Sequence, residues 1–408
     1  MAITPKLQQH DSVSRDLKHI PLHTRVLAVI NIPLLAVTAL LACYGLLIVS
    51  SAIIGHSDYT LSRQLTGILI GLMAFAVLWW FDYRRFARFA LPLLIIPVIL
   101  VLLPLVPGIG VEVNGAYNWV NIFGLQFQPA ELAKPLLILA AAALVSQYRG
   151  KLNSGKDYLK VLGMLLIPVV CIMAQPDLGT GLVFFVIAVV ALFTGGANRK
   201  WLIITAIVII AALVLLIVVD GYLDSYFERD VLIKDYQKNR ILVFLDNDID
   251  PTGVSYHLTQ AKIAIGSGGL LGKGYGNAMQ SGLGFLPETP TDFIFCVLAE
   301  EFGFVGSMAL IALFILQFFI ILRIAFTAKN TFGSIIAASI LGMWFFHVLE
   351  NIGMTCGLMP ITGIPLPFVS YGSSFMVTNF IVLGLLCSIW TRRNAGDRFG
   401  HIGTRMTE

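Results

Sequence analysis

The stretch Gly282-Leu-Gly-Phe-Leu-Pro-Glu288-Thr-Pro-Thr-Asp292-Phe-Ile-Phe-Cys-Val-Leu-Ala-Glu300-Glu301-Phe-Gly303 joins the longest polar segment of an oily chain to a long apolar run. Thr289 reads as an N-cap and Pro290 as a first helical residue, which predicts a helix opening at Pro290 with Asp292 in its first turn. Asp292 then stands where membrane meets water. Two readings of it remain side by side. An acid in a first turn is a common capping residue, held as an anion by the helix dipole. The same acid is also a base within reach of anything bound at the membrane's edge.

Outward from this stretch, composition sets the class. Of 408 residues 57% are apolar and only 12% charged, with a mean hydropathy of +0.85. Repeated spans of about 20 apolar residues leave little room for charge, so this is an all-α polytopic membrane protein. The net charge of +4 sits in short basic clusters between apolar runs, which orient a membrane protein and give no footprint for nucleic acid. The cysteines Cys43, Cys171, Cys296, Cys356 and Cys387 are scattered and show no disulfide or zinc spacing.

Apolar runs of spanning length predict about ten helices, near 26–51, 65–82, 87–106, 129–147, 159–174, 179–195, 201–219, 291–322, 331–355 and 372–391. Basic clusters precede the first and follow every even-numbered span: Arg84/Arg85/Arg88, Arg149/Lys151, Arg199/Lys200, Arg323/Lys329 and Arg392/Arg393. Both termini are therefore expected in the cytoplasm, with tails at 1–25 and 392–408 around a membrane domain at 26–391. The segment 107–128 contains no Lys or Arg and reads as an outer loop. Residues 220–290 form a large outer loop between spans seven and eight, within which Ser255–Ile265 has helical amphipathic spacing suited to lying on the membrane surface.

Three lookalikes fail on detail. Gly266–Gly274 lacks the first glycine and the Ser/Thr of a phosphate-binding loop, and Asp246/Asp248/Asp250 lacks the glycine and closing Glu of a calcium loop. His347 and Glu350 share a helix with no second His for zinc. Charges inside spans carry more information, because burying them in lipid is costly. Glu131 and Lys134 lie at i,i+3 spacing, either as a self-neutralising pair or with Lys134 as a cation for an anionic lipid headgroup. Glu300 and Glu301 lie deeper than Asp292 and are expected to pair with basic or polar partners.

Five blocks resemble the SEDS proteins (shape, elongation, division and sporulation), the RodA/FtsW/SpoVE glycosyltransferases. They are Asn114-Gly-Ala-Tyr-Asn-Trp119, Gln128-Pro-Ala-Glu131-Leu-Ala-Lys134, Gln175-Pro-Asp177-Leu-Gly-Thr180, Phe285-Leu-Pro-Glu with Thr291-Asp292-Phe-Ile-Phe295, and Gly363-Ile-Pro-Leu-Pro-Phe-Val-Ser370-Tyr-Gly372. The run Asp235-Tyr-Gln to Arg240, followed by Lys262-Ile-Ala-Ile-Gly-Ser-Gly-Gly269, is similar to the RodA branch. The resemblance implies a peptidoglycan polymerase acting on lipid II at the outer face of the bacterial cytoplasmic (inner) membrane during elongation, with Asp292 as general base. It implies substrate contacts at Lys134, Glu131, Arg240, Lys262, Gln175, Asp177, Trp119, Asn114 and Ser370, with Lys134 and Arg240 as candidates for the pyrophosphate. It also implies a divalent ion, Mg²⁺ or Mn²⁺, with no organic cofactor. The implied partners are a class B penicillin-binding transpeptidase and other membrane proteins of the elongation machinery. This chain departs from the pattern at Thr289, Pro290, Tyr117-Asn118 and Ser373. A flippase for lipid-linked precursors and a non-catalytic scaffold are the rival readings; a flippase predicts key charges at mid-membrane and two similar halves.

Overall fold

The structure is a computed structural model that describes residues 30–54, 58–113, 116–122, 125–173, 175, 177–227, 244, 253–279, 286 and 288–393. Each of the ten expected spans coincides with a helix. In chain order these are α1 (Ile32–Ala52), α2 (Leu61–Trp80), α3 (Ala90–Leu102), α4 (Pro129–Ser146), α5 (Gly155–Met173), α6 (Leu178–Thr194) and α7 (Arg199–Phe227). A shorter α8 (Val254–Ser267) precedes α9 (Ile294–Thr327), α10 (Thr331–Cys356) and α11 (Ser373–Arg392). Among the described residues, six of them, α1, α2, α4, α9, α10 and α11, are long and apolar enough by length and composition to cross a membrane. Caps mark several starts: Asn31 accepts from Leu34 N at 3.1 Å, and Asn330 from Gly333 N at 2.8 Å.

The bundle is built around α4, α10 and α11, whose side chains are buried on nearly all sides. A helix that is apolar all round belongs in the core. By contrast, α2 buries only Gln64, Gly67 and Gly71, a single stripe against α11, and presents Leu65, Leu69 and Met73 outward. A Cβ at Gly67 would come within 2.6 Å of Ser373 Cα, so small residues set this close approach. Polar side chains also join helices: Gln317 Nε2 donates to Thr38 Oγ1 at 3.1 Å between α9 and α1, and Trp344 Nε1 to Asn379 Oδ1 at 2.7 Å between α10 and α11.

Several expectations need correction. The basic-free segment 107–128 carries a three-stranded antiparallel sheet, β1 (Gly110–Val113), β2 (Ala116–Ile122) and β3 (Leu125–Phe127), in the order β1-β2-β3. Helix α7 continues to Phe227, past the expected end at 219. Helix α8 spans the expected amphipathic segment, but it buries Leu258, Ala261 and Ala264 against Phe293, Cys296 and Met354. Its apolar face packs on protein, where it finds α9 and α10 already apolar.

Within α9 the helix breaks at Gly303 (φ +65°), a backbone region open chiefly to glycine. The freed groups are taken up by the glycine-rich segment 268–276. Lys273 N and Gly274 N donate to the carbonyls of Glu300 and Glu301, each at 3.0 Å, while Phe304 N and Val305 N donate to Gly269 O (2.9 Å) and Leu270 O (3.1 Å). The side chains seal the joint. Glu300 Oε1 accepts from Lys273 Nζ at 2.6 Å and Met279 N at 3.0 Å; Glu301 Oε1 accepts from Gly276 N at 3.0 Å and from Ser51 Oγ. The segment that superficially resembled a phosphate loop is thus a plug for a broken helix.

Candidate active site

Asp292 does not lie in the first turn of a helix. Helix α9 starts at Ile294, and its N-cap position is Phe293 rather than Thr289. Residues 288–293 form a turn in which the carbonyl of Glu288 accepts the amides of Thr291 (3.2 Å), Asp292 (3.0 Å) and Phe293 (3.3 Å). The carbonyls that a helix from Pro290 would direct along its axis go elsewhere. Pro290 O accepts Tyr371 N at 2.8 Å, Thr291 O accepts Ser370 Oγ at 2.7 Å, and Asp292 O accepts Asn351 Nδ2 at 2.8 Å. Tertiary bonds here outcompete the proline-cap signal. Glu288 takes φ +52°, a left-handed conformation that costs a non-glycine residue about 1 kcal/mol or more.

The half-buried carboxylate of Asp292 lines a cavity of about 520 Å³. Gly363 (φ +76°) leaves room for it, since a Cβ there would stand 2.9 Å from Asp292 Oδ2. Asn351, buried on α10, donates from the same Nδ2 to Ile364 O at 2.8 Å, tying the Asp292 turn to the Gly363–Pro365 wall. Glu288 lines the cavity as well, and its Oε2 accepts from Tyr59 Oη at 2.6 Å and Thr291 Oγ1 at 3.1 Å. Burial pushes the Tyr59 phenol well above its usual range, helped by the Glu288 bond and then the charges of Glu288, Asp292 and Asp58. Tyr59 therefore stays protonated and acts as a donor.

Of the other sequence candidates, Glu131, Lys134, Asp177 and Trp119 line the same cavity. Lys134 Nζ lies 2.6 Å from Glu131 Oε1 and 3.4 Å from His347 Nε2. His347 Nδ1 lies 2.7 Å from Met343 O, which can only accept, so Nε2 presents its lone pair to the lysine. Asp177 caps α6, accepting from Thr180 N at 3.0 Å and Thr180 Oγ1 at 2.9 Å. Ser370 is buried behind the cavity and holds the turn. Gln175, also buried, donates to Val101 O. Lys262 lies away from the cavity, on α8 beside Gly357 of the α10 C-terminus. Asn114 and Arg240 lie outside the described residues. Sequence reasoning missed Tyr59, Arg63, Glu288 and Asn351 as parts of this site; only Glu288, in the Leu286-Pro-Glu288 run, carried a local signal.

The helices give the cavity a side. Both α2 and α11 run from the cavity, at Arg63 and Ser373, to Asp82, Arg84, Arg85 and Arg392 about 30 Å further along a 20-residue helix. Helix α4 likewise leads from Glu131 toward Lys151, where Leu152 bridges to Ala197 beside Arg199. The basic clusters and the acidic cavity occupy opposite ends of the bundle.

Residues 26–395 match the FtsW/RodA/SpoVE family, described as cell cycle proteins. The peptidoglycan glycosyltransferase MrdB of Escherichia coli (strain K12) is 37% identical over 364 residues, covering 87% of this chain and 93% of that one. Stage V sporulation protein E of Bacillus subtilis (strain 168) is 33% identical over 364 residues, covering 87% and 95%. Among solved structures, the rod shape determining protein RodA of Thermus thermophilus superposes with a TM-score of 0.64 at 28% identity, covering 88% and 96%. A chain from a peptidoglycan synthase complex that coordinates polymerization and crosslinking superposes with a TM-score of 0.72 at 30% identity, covering 89% and 98%.

Proposed function

Because the chain belongs to the FtsW/RodA/SpoVE family, we propose that it is a peptidoglycan glycosyltransferase that joins lipid II into glycan strands at the outer face of the bacterial inner membrane during elongation. The observation that carries this reading is the Asp292 carboxylate, held in a cavity at the end of the bundle opposite the basic clusters. By the positive-inside rule the clusters are cytoplasmic, as are both termini, and the cavity opens outward where the lipid-linked sugars stand.

In this proposal Asp292 accepts the proton of the acceptor GlcNAc 4-hydroxyl as that oxygen attacks C1 of MurNAc on the donor. The C1–O bond to the prenyl pyrophosphate breaks on the opposite face, the leaving oxygen takes the electron pair, and the anomeric centre inverts. Three tertiary hydrogen bonds to the backbone of residues 290–292 fix the base, so little reorganisation is needed at the moment of reaction. Tyr59 and Glu288 place a donor and a second acceptor beside it. Among the described residues no cluster of three or more His, Cys, Asp or Glu side chains could hold a metal ion. In this proposal a Mg²⁺ or Mn²⁺ ion accompanies the substrate's pyrophosphate.

The proposed partner is a class B penicillin-binding transpeptidase, with other membrane proteins of the elongation machinery. Similarity to a chain of a peptidoglycan synthase complex supports the first. The test is polymerisation of lipid II by the purified protein with its transpeptidase, with and without divalent metal. Glycan chains are the expected product. Translocation of lipid II across vesicles without any polymer would overturn the proposal in favour of a flippase.

A further inference from the structure

At the end of the bundle opposite the cavity, a six-residue 3₁₀ turn, Tyr83–Arg88, joins α2 to α3. Asp82 opens it, accepting from Arg84 N at 3.0 Å and pairing with Arg84 Nε at 3.1 Å. With three residues per turn, side chains three apart stand one above the other. Tyr83 and Phe86 therefore share the inner face. Tyr83 is buried, stacks on Phe332 and donates to Asn330 Oδ1 at 3.1 Å, while Phe86 packs on the core. The same spacing leaves Arg85 and Arg88 together on the outer face, both exposed and about 6 Å apart along the axis.

Two like charges so aligned repel, and an anion between them relieves the repulsion. Among the described residues no carboxylate pairs with either arginine. Asp82 is the only acid from residue 80 to residue 110, and it is already taken: Arg84 holds it, and Arg392 Nε lies 3.8 Å away. Arg392 is itself spent on the end of α2, donating to Trp79 O at 3.0 Å and Trp80 O at 2.5 Å. Arg85 is steadied over the Phe81 ring, 5.5 Å from its centroid. Two neighbouring guanidinium forks suit the oxygens of one phosphate.

The flanks of the turn are aromatic and apolar. Trp80 before it is 82% exposed and Phe89 after it 55% exposed, and Val77 on α2 and Leu91 on α3 are exposed as well. Tryptophan and arginine together at the end of a membrane helix match the depth of lipid headgroups, and the positive-inside rule puts this end in the cytoplasm.

We propose that the Tyr83–Arg88 turn binds an anionic phospholipid of the cytoplasmic leaflet, with its phosphate between Arg85 and Arg88 and its acyl chains along Val77, Trp80 and Leu91. The ligand must join a phosphate anion to apolar chains, and a membrane lipid brings both in one molecule. A soluble phosphate would satisfy the arginines and leave the aromatic flanks uncovered. The site lies about 30 Å from the cavity, the length of α2, and it stands whether or not the chain makes glycan.

The test uses the full-length protein in detergent micelles, with phosphatidylglycerol, phosphatidylcholine and inorganic phosphate as probes and bound lipid counted by native mass spectrometry. Wild type is expected to bind phosphatidylglycerol about tenfold or more tighter than phosphatidylcholine. Arg85→Ala/Arg88→Ala should lose about tenfold or more in phosphatidylglycerol affinity and bind the two lipids within about threefold of each other. Arg199→Ala/Lys200→Ala removes two exposed cations from another cytoplasmic connection and should keep the wild-type preference. Excess inorganic phosphate should leave phosphatidylglycerol bound. A wild type without preference, or a preference retained in Arg85→Ala/Arg88→Ala, overturns the proposal. Equal loss in both double variants overturns it in favour of diffuse surface charge, and displacement by inorganic phosphate in favour of a free-anion site. If Arg85→Ala/Arg88→Ala does not fold, Arg88→Gln decides it in the same measurement, a loss of about threefold or more being expected and unchanged affinity refuting the site.

Discussion

Asp292 and the Glu300/Glu301 pair lie within ten residues of one another, on either side of the start of α9, and their fates are opposite. Both glutamates are sealed: fully buried, bonded to the loop 267–279 and to Ser51, and spent on mending the break at Gly303. At Asp292 the backbone is bonded on every side while the carboxylate lines an open cavity. The glutamates hold segment 267–279 to the bundle with their side chains; the aspartate is itself held by its backbone, with its side chain on the cavity.

Substitutions separate the sealed glutamates from the cavity aspartate. The largest effect is expected at Gly303→Val, where a Cβ would meet Gly272 N at 2.4 Å on a backbone of φ +65°. A loss of about 3 kcal/mol or more is expected, seen as a collapse of the thermal midpoint in detergent. Next, Glu300→Gln should cost about 2 kcal/mol by unpairing Lys273, yet leave the polymerisation rate per folded molecule unchanged. A folded Glu300→Gln protein as inactive as an Asp292 variant would break the distinction. Asn351→Ala removes the tie between Asp292 O and Ile364 O, and is expected to lower kcat about tenfold with KM for lipid II within about threefold. The smallest effect belongs to Tyr59→Phe. It deletes the 2.6 Å bond to Glu288 and should lower stability by about 1 kcal/mol, measured by thermal unfolding.

The ten spans were legible because apolar runs and flanking basic residues are local and redundant signals. The sheet at 110–127 was passed over, although Ala116-Tyr-Asn-Trp-Val-Asn-Ile122 alternates apolar and polar residues as a strand does. The Asp292 turn was misread for a physical reason: a threonine–proline start is a sound local signal, but Asn351, Ser370 and Tyr371 capture its carbonyls from 59 or more residues away. The break at Gly303 was equally hidden, since glycine inside a helical pattern is usually tolerated. Asp292 itself was legible through the family's Thr-Asp-Phe block. Tyr59 and Arg63 were not, because only the closure of α2 on α11 brings them to the cavity.

The role of Asp292 is decided by the initial rate of lipid II polymerisation by the Asp292→Asn protein, purified with its transpeptidase partner and compared at equal folded concentration with wild type. A fall of about 100-fold or more is expected at unchanged thermal midpoint and unchanged lipid II binding, as removal of a general base requires. A variant that elongates glycan chains at the wild-type rate would contradict it.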